Sequence, residues 1–241
     1  MKALNKYIDH TNLKPFATKG DIEKLCAEAR AYDFASVCVN PCNVALAGKL
    51  LDGSDVKVCT VIGFPLGQNT TAVKVAETED AYALGCEEFD MVINVGKLKD
   101  GENDFVRDEI AAVVAAAKGK TVKVIIETGL LTDEEIAIAT QLSCRAGAHF
   151  VKTCTGVSAG VATVADVQIM KANLSGSTVI KASAGIRTYE DAKARREQML
   201  TATPESLAQW CGVLDALREK ATVAVVGYAD ALDSCAEEGL T

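Results

Sequence analysis

Short apolar runs rich in β-branched residues alternate with amphipathic segments along the chain of 241 residues. Each apolar run is almost uninterrupted, which is typical of parallel strands that are covered on both faces. The runs predict eight strands, at residues 7–11, 34–40, 57–64, 88–95, 122–128, 149–153, 178–183 and 222–227. Parallel strands need long crossover connections, so helices are expected between them.

The segments between these strands have the spacing and the start signals of helices. Apolar stripes at helical spacing cover residues 22–29 and 106–117. Thr132, Thr163 and Thr188 each precede an acidic residue by three positions, a pattern that caps the first turn of a helix. We therefore predict helices that begin just after these threonines.

A strand–helix alternation repeated about eight times predicts an α/β protein with right-handed crossovers, most simply a closed (β/α)8 TIM barrel. An open doubly wound sheet is the alternative. It is disfavoured because no glycine-rich dinucleotide motif follows the first strand and no phosphate-binding GxxxxGK[ST] motif occurs. Without a recognisable linker, residues 1–241 are predicted to form one barrel domain, with the eighth strand at 222–227.

Charge and cysteine content narrow the classes of function. A net charge of -8 argues against a nucleic-acid or anionic-membrane partner, because such partners are bound by clustered lysine and arginine. No apolar run approaches the roughly 18 residues of a membrane span. The nine cysteines include no CxxC pair and several lie in strand-like runs, so we expect buried, reduced thiols, no metal and a cytoplasmic location.

Polar residues near the strand ends are the candidates for chemistry, since barrel active sites lie at the carboxyl ends of the strands. Asp9 and Asn40 lie at the ends of the first and second predicted strands, and Asp90 lies on the fourth. Lys152 and Lys181 lie on the sixth and seventh strands. Asn94 and Glu127 are further polar residues at such positions.

The two lysines are the most informative pair. Neighbouring strands lie about 4.8 Å apart, so Lys152 and Lys181 are expected to point inward side by side. Burial and a like charge both lower the pKa of a lysine, which frees its amine to attack a carbonyl carbon. We therefore predict that Lys152 forms a Schiff base and that Asp90 pairs with the protonated lysine and carries protons. Alternatively, these lysines are solvated or are bound to structural carboxylates.

Two loops could hold an anion. Gly185 and Arg187 lie just after the seventh strand and before the helix expected at Thr188, and Gly156 follows Lys152 in a loop of small residues. Backbone N–H groups at a helix start and a guanidinium suit a phosphate group, although such loops also serve as tight turns.

Several motifs together resemble one family. The stretches YIDHTNLKP, SVCVNP, VCTVIGFPLGQNTTAVK, FDMVINVG, VKVIIETGLLT, FVKTCTG and KASAGIRTYEDA occur in order between about residues 5 and 192. They are similar to those of the deoxyribose-phosphate aldolases, class I aldolases with a (β/α)8 barrel. The resemblance implies cleavage of 2-deoxy-D-ribose 5-phosphate to acetaldehyde and D-glyceraldehyde 3-phosphate without a cofactor, in a homodimer or homotetramer. It also implies Lys152 as the Schiff-base lysine, Lys181 as the lysine that perturbs it and Asp90 as the proton relay.

The chain departs from the family pattern around the expected phosphate. Ala184 stands where the family commonly has a first glycine, and Val157 stands where many members have a lysine or an aromatic residue. Residues 193–241 are atypical and lack the usual phosphate loop. A class I aldolase for a different or unphosphorylated aldehyde pair is therefore one alternative, and a non-catalytic sugar-phosphate-binding barrel is another.

Overall fold

A computed structural model describes residues 4–158, 160, 162–184 and 221–223 of the chain. Strands and helices alternate through this part of the chain. The strands are β1 (Asp9–Asn12), β2 (Ser36–Val39), β3 (Lys57–Ile62), β4 (Glu88–Val92), β5 (Thr121–Ile125), β6 (Phe150–Lys152), β7 (Val179–Ala182) and β8 (Ala221–Val223).

The strands lie side by side in the order in which they occur in the chain, and every described pair is parallel. From β1 to β7 they form the curled sheet of an α/β, TIM-barrel-like fold. This confirms the predicted fold class at that level. The short segment β8 pairs with β7 and starts one residue before the predicted eighth strand, whose residues 224–227 lie outside the described part.

Seven α-helices occur in the described part of the chain, all of them before β7. They are α1 (Lys19–Ala31), α2 (Val44–Leu50), α3 (Thr71–Ala83), α4 (Val95–Lys99), α5 (Asn103–Ala116), α6 (Asp133–Arg145) and α7 (Val164–Ala172). The predicted caps at Thr132 and Thr163 are both confirmed as reciprocal capping boxes, which satisfy backbone N–H groups that the first helical turn leaves free. Thr188 lies outside the described residues.

The predicted apolar stripes form the layer between the helices and the sheet. Ile22 and Ala29 of α1 and Val106 and Val113 of α5 are fully buried in the main apolar core. Burying a valine or isoleucine side chain contributes about 1.5–3 kcal/mol. The stripes thereby hold the helices against the outer face of the sheet and leave its inner face for other side chains.

The inner face carries charged groups as well as apolar ones. Five aspartate and lysine side chains of the described strands are almost fully buried, and each lies on a different strand: Asp9, Asp90, Lys123, Lys152 and Lys181. Burying charges is costly unless they are paired. A concentration of them inside the sheet is therefore evidence of a functional site.

A second buried ion pair lies on the outer face. The Lys74 Nζ atom of α3 is 2.8 Å from Glu109 Oε2 of α5, and it also donates a hydrogen bond of 2.8 Å to the carbonyl oxygen of Val92. Both side chains are completely buried. The pair therefore ties two helices to the carboxyl end of β4, the strand that carries Asp90.

Candidate active site

Strand register brings the predicted catalytic residues together. Lys152 of β6 and Lys181 of β7 are register partners, as the sequence predicts. Asp90 of β4 is the register partner of Lys123 on β5. The four neighbouring strands β4 to β7 thus carry the three predicted catalytic residues and one lysine that was not predicted, Lys123.

Asp90 is the centre of this cluster. Its Oδ2 atom accepts a hydrogen bond of 2.6 Å from Lys152 Nζ, and its Oδ1 atom accepts one of 2.9 Å from Lys123 Nζ. The Cys59 thiol donates to the same Oδ1 atom over 3.3 Å. The neighbouring lysines hold the pKa of Asp90 well below its usual range, against the opposing effect of burial. Asp90 is therefore a carboxylate shared between two ammonium groups.

Lys123 belongs to the cluster, and the sequence interpretation missed it. Its Nζ atom lies 3.2 Å from Asp9 Oδ2 and also contacts Glu88. Burial by itself lowers the pKa of this lysine, but the surrounding negative charges outweigh it and raise the pKa well above the ordinary value. The signal was present in the sequence, because VKVII has a lysine inside an apolar strand just as FVKT does.

Lys181 lies against Asp9 on the other side of the cluster. Its Nζ atom forms an ion pair with Asp9 Oδ2, so Asp9 is shared between Lys181 and Lys123. Burial lowers the pKa of Lys181 from 10.5 to about 7. Lys181 is thus the lysine of this site that can be a neutral amine near pH 7.

The predicted pKa shift of Lys152 is reversed in the structure. We expected burial and Lys181 to lower it. Burial does act in that direction, but the charge of Asp90 and its hydrogen bond outweigh this effect, and the pKa of Lys152 is raised. The prediction failed because it paired Asp90 with only one lysine and placed Lys181 as the nearest charge. In the structure Asp90 contacts Lys152 and Lys123, while Lys181 contacts Asp9.

The loops that follow β6 and β7 meet beside the lysines. Gly156 has a φ angle of +80°, and a methyl group added to it would lie 3.6 Å from the Cβ atom of Ala184. Ala184 itself has a φ angle of +73°, in the left-handed region that L-residues rarely adopt. The buried Glu127 accepts a hydrogen bond of 3.2 Å from the backbone N–H of Thr155, which fixes the start of the first loop.

The remaining predicted binding residues are Asn40, Gly185 and Arg187. Asn40 follows β2 and precedes a short 3-10 helix, Pro41–Asn43, to which its side chain gives no capping bond. Gly185 and Arg187 lie outside the described residues. Asn94, another polar residue at a strand end, caps α4 by accepting from the backbone N–H of Lys97 over 3.1 Å, which is a structural role.

Comparison with known proteins decides the family. The sequence model of the DeoC/LacD family aldolases matches residues 4–214 of this chain. The chain belongs to this family.

Members with a more specific name are close in sequence. A deoxyribose-phosphate aldolase of Streptococcus suis is 61% identical over 191 residues, which cover 79% of this chain and 87% of the relative. One of Clostridium perfringens is 59% identical over 192 residues, covering 79% of this chain and 86% of the relative. These matches confirm the predicted family resemblance and the prediction that the chain is an aldolase.

A solved structure agrees with the fold. The deoxyribose phosphate aldolase of Aeropyrum pernix, described as a tetramer, superposes with a TM-score of 0.77 at 29% identity, covering 99% of this chain and 92% of that one.

Among the described residues, no helix has the length and apolar character needed to cross a membrane.

Proposed function

We propose that this member of the aldolase family reversibly cleaves 2-deoxy-D-ribose 5-phosphate to acetaldehyde and D-glyceraldehyde 3-phosphate through a Schiff base on Lys152. The observation that carries the proposal is the pairing of Lys152 with a buried carboxylate, Asp90, beside a second lysine of depressed pKa, Lys181. An imine mechanism needs a lysine amine, a group that takes its proton and a group that moves protons on the substrate.

The first step makes the amine available. Lys152 is held as an ammonium by Asp90, so it must lose a proton before it attacks. Lys181 is its register partner and has a pKa of about 7, so its neutral form can serve as a base that is not already tied to Asp90. We propose that substrate entry separates Lys152 from Asp90, so that the proton passes toward Lys181.

The second step is the carbon–carbon cleavage. The Lys152 amine attacks the aldehyde carbon of the open-chain sugar, and loss of water leaves a protonated imine. Removal of the proton from the C3 hydroxyl breaks the C2–C3 bond, and the bonding electrons move into the imine to form an enamine. D-Glyceraldehyde 3-phosphate leaves. Protonation of the enamine at C2 and hydrolysis then release acetaldehyde and restore Lys152.

Asp90 is the proposed proton relay for this step. Released from Lys152, its Oδ2 atom can exchange a proton with the C3 hydroxyl, directly or through a water molecule. Its Oδ1 atom remains bonded to Lys123. Lys123 therefore acts as a positioning residue, which holds the carboxylate in one orientation and keeps it ionised until substrate arrives.

Substrate contacts are proposed for Asp9, Asn40, Gly156, Gly185 and Arg187. The meeting of the two loops at Gly156 and Ala184 supports a small-residue pocket beside Lys152 and Lys181. Backbone N–H groups of these loops and the guanidinium of Arg187 would bind the phosphate. The reaction as written needs no metal or organic cofactor.

The larger context of the site is also a proposal. A closed eight-stranded barrel in one domain of residues 1–241 is supported by the pairing of β8 with β7. A homo-oligomer, either a dimer or a tetramer, is supported by the tetrameric relative. A cytoplasmic location is supported by the seven described cysteines, all free thiols.

Reductive trapping tests the central claim. The protein is incubated with acetaldehyde or deoxyribose 5-phosphate, reduced with borohydride and digested, and the adduct is located by mass spectrometry. We expect the adduct on Lys152, and we expect Lys152→Ala to lose both the adduct and turnover, the latter by about 10⁴-fold or more. An adduct on Lys123 or Lys181 would reassign the nucleophile, and the absence of any adduct would rule out the imine mechanism.

One observation supports a different substrate pair. Ala184 places a methyl group beside Gly156, at a position where the family commonly has a glycine. An aldolase for an unphosphorylated aldehyde pair is therefore the second candidate. Turnover of deoxyribose with and without its 5-phosphate separates the two, because equal kcat/KM values would reject a working phosphate site. A non-catalytic sugar-phosphate-binding barrel would show binding without turnover of either sugar.

A further inference from the structure

The inner face of the sheet holds two thiols next to the active-site carboxylate. Cys38 of β2 and Cys59 of β3 are register partners on adjacent strands. Both side chains are almost completely buried, as is Asp90. The two sulfur atoms and a carboxylate oxygen of Asp90 all lie within 4.8 Å of one another. The aldolase mechanism proposed above uses neither thiol.

We propose that Cys38, Cys59 and Asp90 form a binding site for a soft divalent metal ion, with zinc as the representative, and that the bound ion inhibits the enzyme. Two thiolates and a carboxylate oxygen are ligands that zinc prefers, and a water molecule can take its fourth position. A tetrahedral zinc ion with zinc–sulfur bonds of about 2.3 Å holds its two sulfur ligands about 3.8 Å apart. Small side-chain rotations would therefore complete the site.

The charge balance of the interior favours this chemistry. Each thiol releases its proton when its sulfur binds the metal, so one divalent ion enters while two protons leave. The net charge of the buried cluster is then unchanged. The released protons are therefore a direct measure of ligation by these thiols.

Lys123 can lose its contact with Asp90 when the ion binds. Its Nζ atom lies 3.4 Å from Cys59 Sγ and 2.9 Å from Asp90 Oδ1, the oxygen that accepts from the Cys59 thiol. It also contacts Asp9 and Glu88. When the metal takes Asp90 Oδ1, Lys123 therefore keeps two carboxylate partners and is not left as an unpaired buried charge.

Inhibition follows from the loss of Asp90 as a base. A carboxylate bound to a divalent cation holds a proton far less readily, so it can neither accept the C3 hydroxyl proton nor return one. The inhibition rests on the proposed function, whereas the metal site itself does not.

Cobalt(II) is the spectroscopic probe of the site, because cobalt bound to thiolates absorbs in the near ultraviolet. The full-length protein is titrated with Co²⁺ under anaerobic conditions, which prevent disulfide formation. We expect the absorption in the wild type, its displacement by Zn²⁺ and its loss in Cys59→Ser and Cys38→Ser. Cys26→Ala is the matched control, because Cys26 is equally buried but lies on α1. Absorption that survives in both serine variants would overturn the site.

Two further measurements complete the test. Calorimetry of Zn²⁺ binding in buffers of different ionisation enthalpy is expected to show about two protons released per ion, and a value near zero would contradict thiolate ligation.

Zn²⁺ is expected to inhibit turnover of the wild type and of Cys26→Ala. The Cys59→Ser variant is expected to need at least about tenfold more Zn²⁺ for the same inhibition. If cobalt absorption is seen but Zn²⁺ does not inhibit turnover, the metal site is supported and the proposed inhibition through Asp90 is wrong. If the chain has no aldolase activity, absorption and proton release still decide the site.

Discussion

At the scale of single residues, the site depends on how five buried charges are shared. Asp90 is shared between Lys152 and Lys123, and Asp9 is shared between Lys123 and Lys181. Each lysine therefore has a different environment although all three lie on the inner face. Burial lowers the pKa of all three lysines. The charge of Asp90 outweighs burial at Lys123 and Lys152, whereas burial lowers the pKa of Lys181 to about 7.

Replacing Lys181 by leucine tests its proposed role as the proton acceptor. We expect kcat to fall by about 100-fold or more, because a positioned acid or base contributes about 10²–10⁴-fold. In the wild type, activity should rise as the pH passes through about 7, where Lys181 loses its proton, and this rise should be missing from the residual activity of the variant. The measurement is the pH profile of kcat/KM. Lys49→Leu on the exposed face of α2 is the control, and wild-type rates in Lys181→Leu would contradict the proposed role.

Lys123→Met tests the residue that the sequence interpretation missed. The variant leaves Asp9, Asp90 and Glu88 without their shared cation, and removing one partner of a buried ion pair costs about 3–5 kcal/mol. We expect the free energy of unfolding in urea to fall by that amount, whereas Lys49→Met should change it by less than about 0.5 kcal/mol. A loss of the same small size in both variants would mean that the carboxylates are solvated.

At the scale of elements, the loop between β3 and α3 must pass very close to the end of β4. Gly67 in this loop has a φ angle of +68°, and a methyl group there would overlap the carbonyl group of Ile93. Ile93 follows β4, the strand of Asp90. Lys74 reaches the carbonyl oxygen of Val92 in the same region. The carboxyl end of β4 is thus held from two sides.

Gly67→Ala and Gly53→Ala form a matched pair that tests this contact. Both glycines have a positive φ, at +68° and +73°, but a methyl group at Gly53 would meet nothing within 4 Å. Gly53→Ala is expected to cost only backbone strain, about 1 kcal/mol. Gly67→Ala adds a clash with backbone and should cost about 3 kcal/mol in urea unfolding. Equal losses in the two variants would show that the loop moves away freely.

Much of the element pattern could be predicted, since strand and helix periodicity are local properties. The predicted strands at 57–64 and 88–95 begin at the same residues as β3 and β4 but extend beyond them. They extend too far because Gly63 turns the chain with a φ of +61° and Asn94 caps a helix, while the neighbouring residues remain apolar. Hydrophobicity alone does not distinguish the end of a strand from a buried turn.

At the scale of the whole molecule, the pH dependence of stability should carry the signature of Lys181. Its pKa falls from 10.5 in the unfolded chain to about 7 in the folded protein. Between these values the unfolded state binds more protons, so folding becomes more favourable as the pH rises. We expect the free energy of unfolding to increase from pH 7 to pH 8.5 in the wild type.

The same measurement on Lys181→Leu isolates this group. Urea unfolding at several pH values should give a flatter curve for the variant than for the wild type over the same range. Keeping the pH below 9 limits the contribution of the buried thiols, such as Cys86, whose pKa burial raises to about 12. Parallel curves for the two proteins would show that Asp9 keeps Lys181 charged, against the direction expected from its burial.

The sequence by itself determined the alternation of strands and helices, the helix caps, the family and the strand positions of Lys152, Lys181 and Asp90. These follow from periodicity, local hydrogen bonding and motifs, which the order of residues contains. Only the tertiary structure decided which charges meet. Lys123 and Asp9 are 114 positions apart and in contact, and that contact depends on the curl and register of the whole sheet. Because electrostatic effects fall off with distance, the pKa of each lysine belongs to the fold and not to its motif.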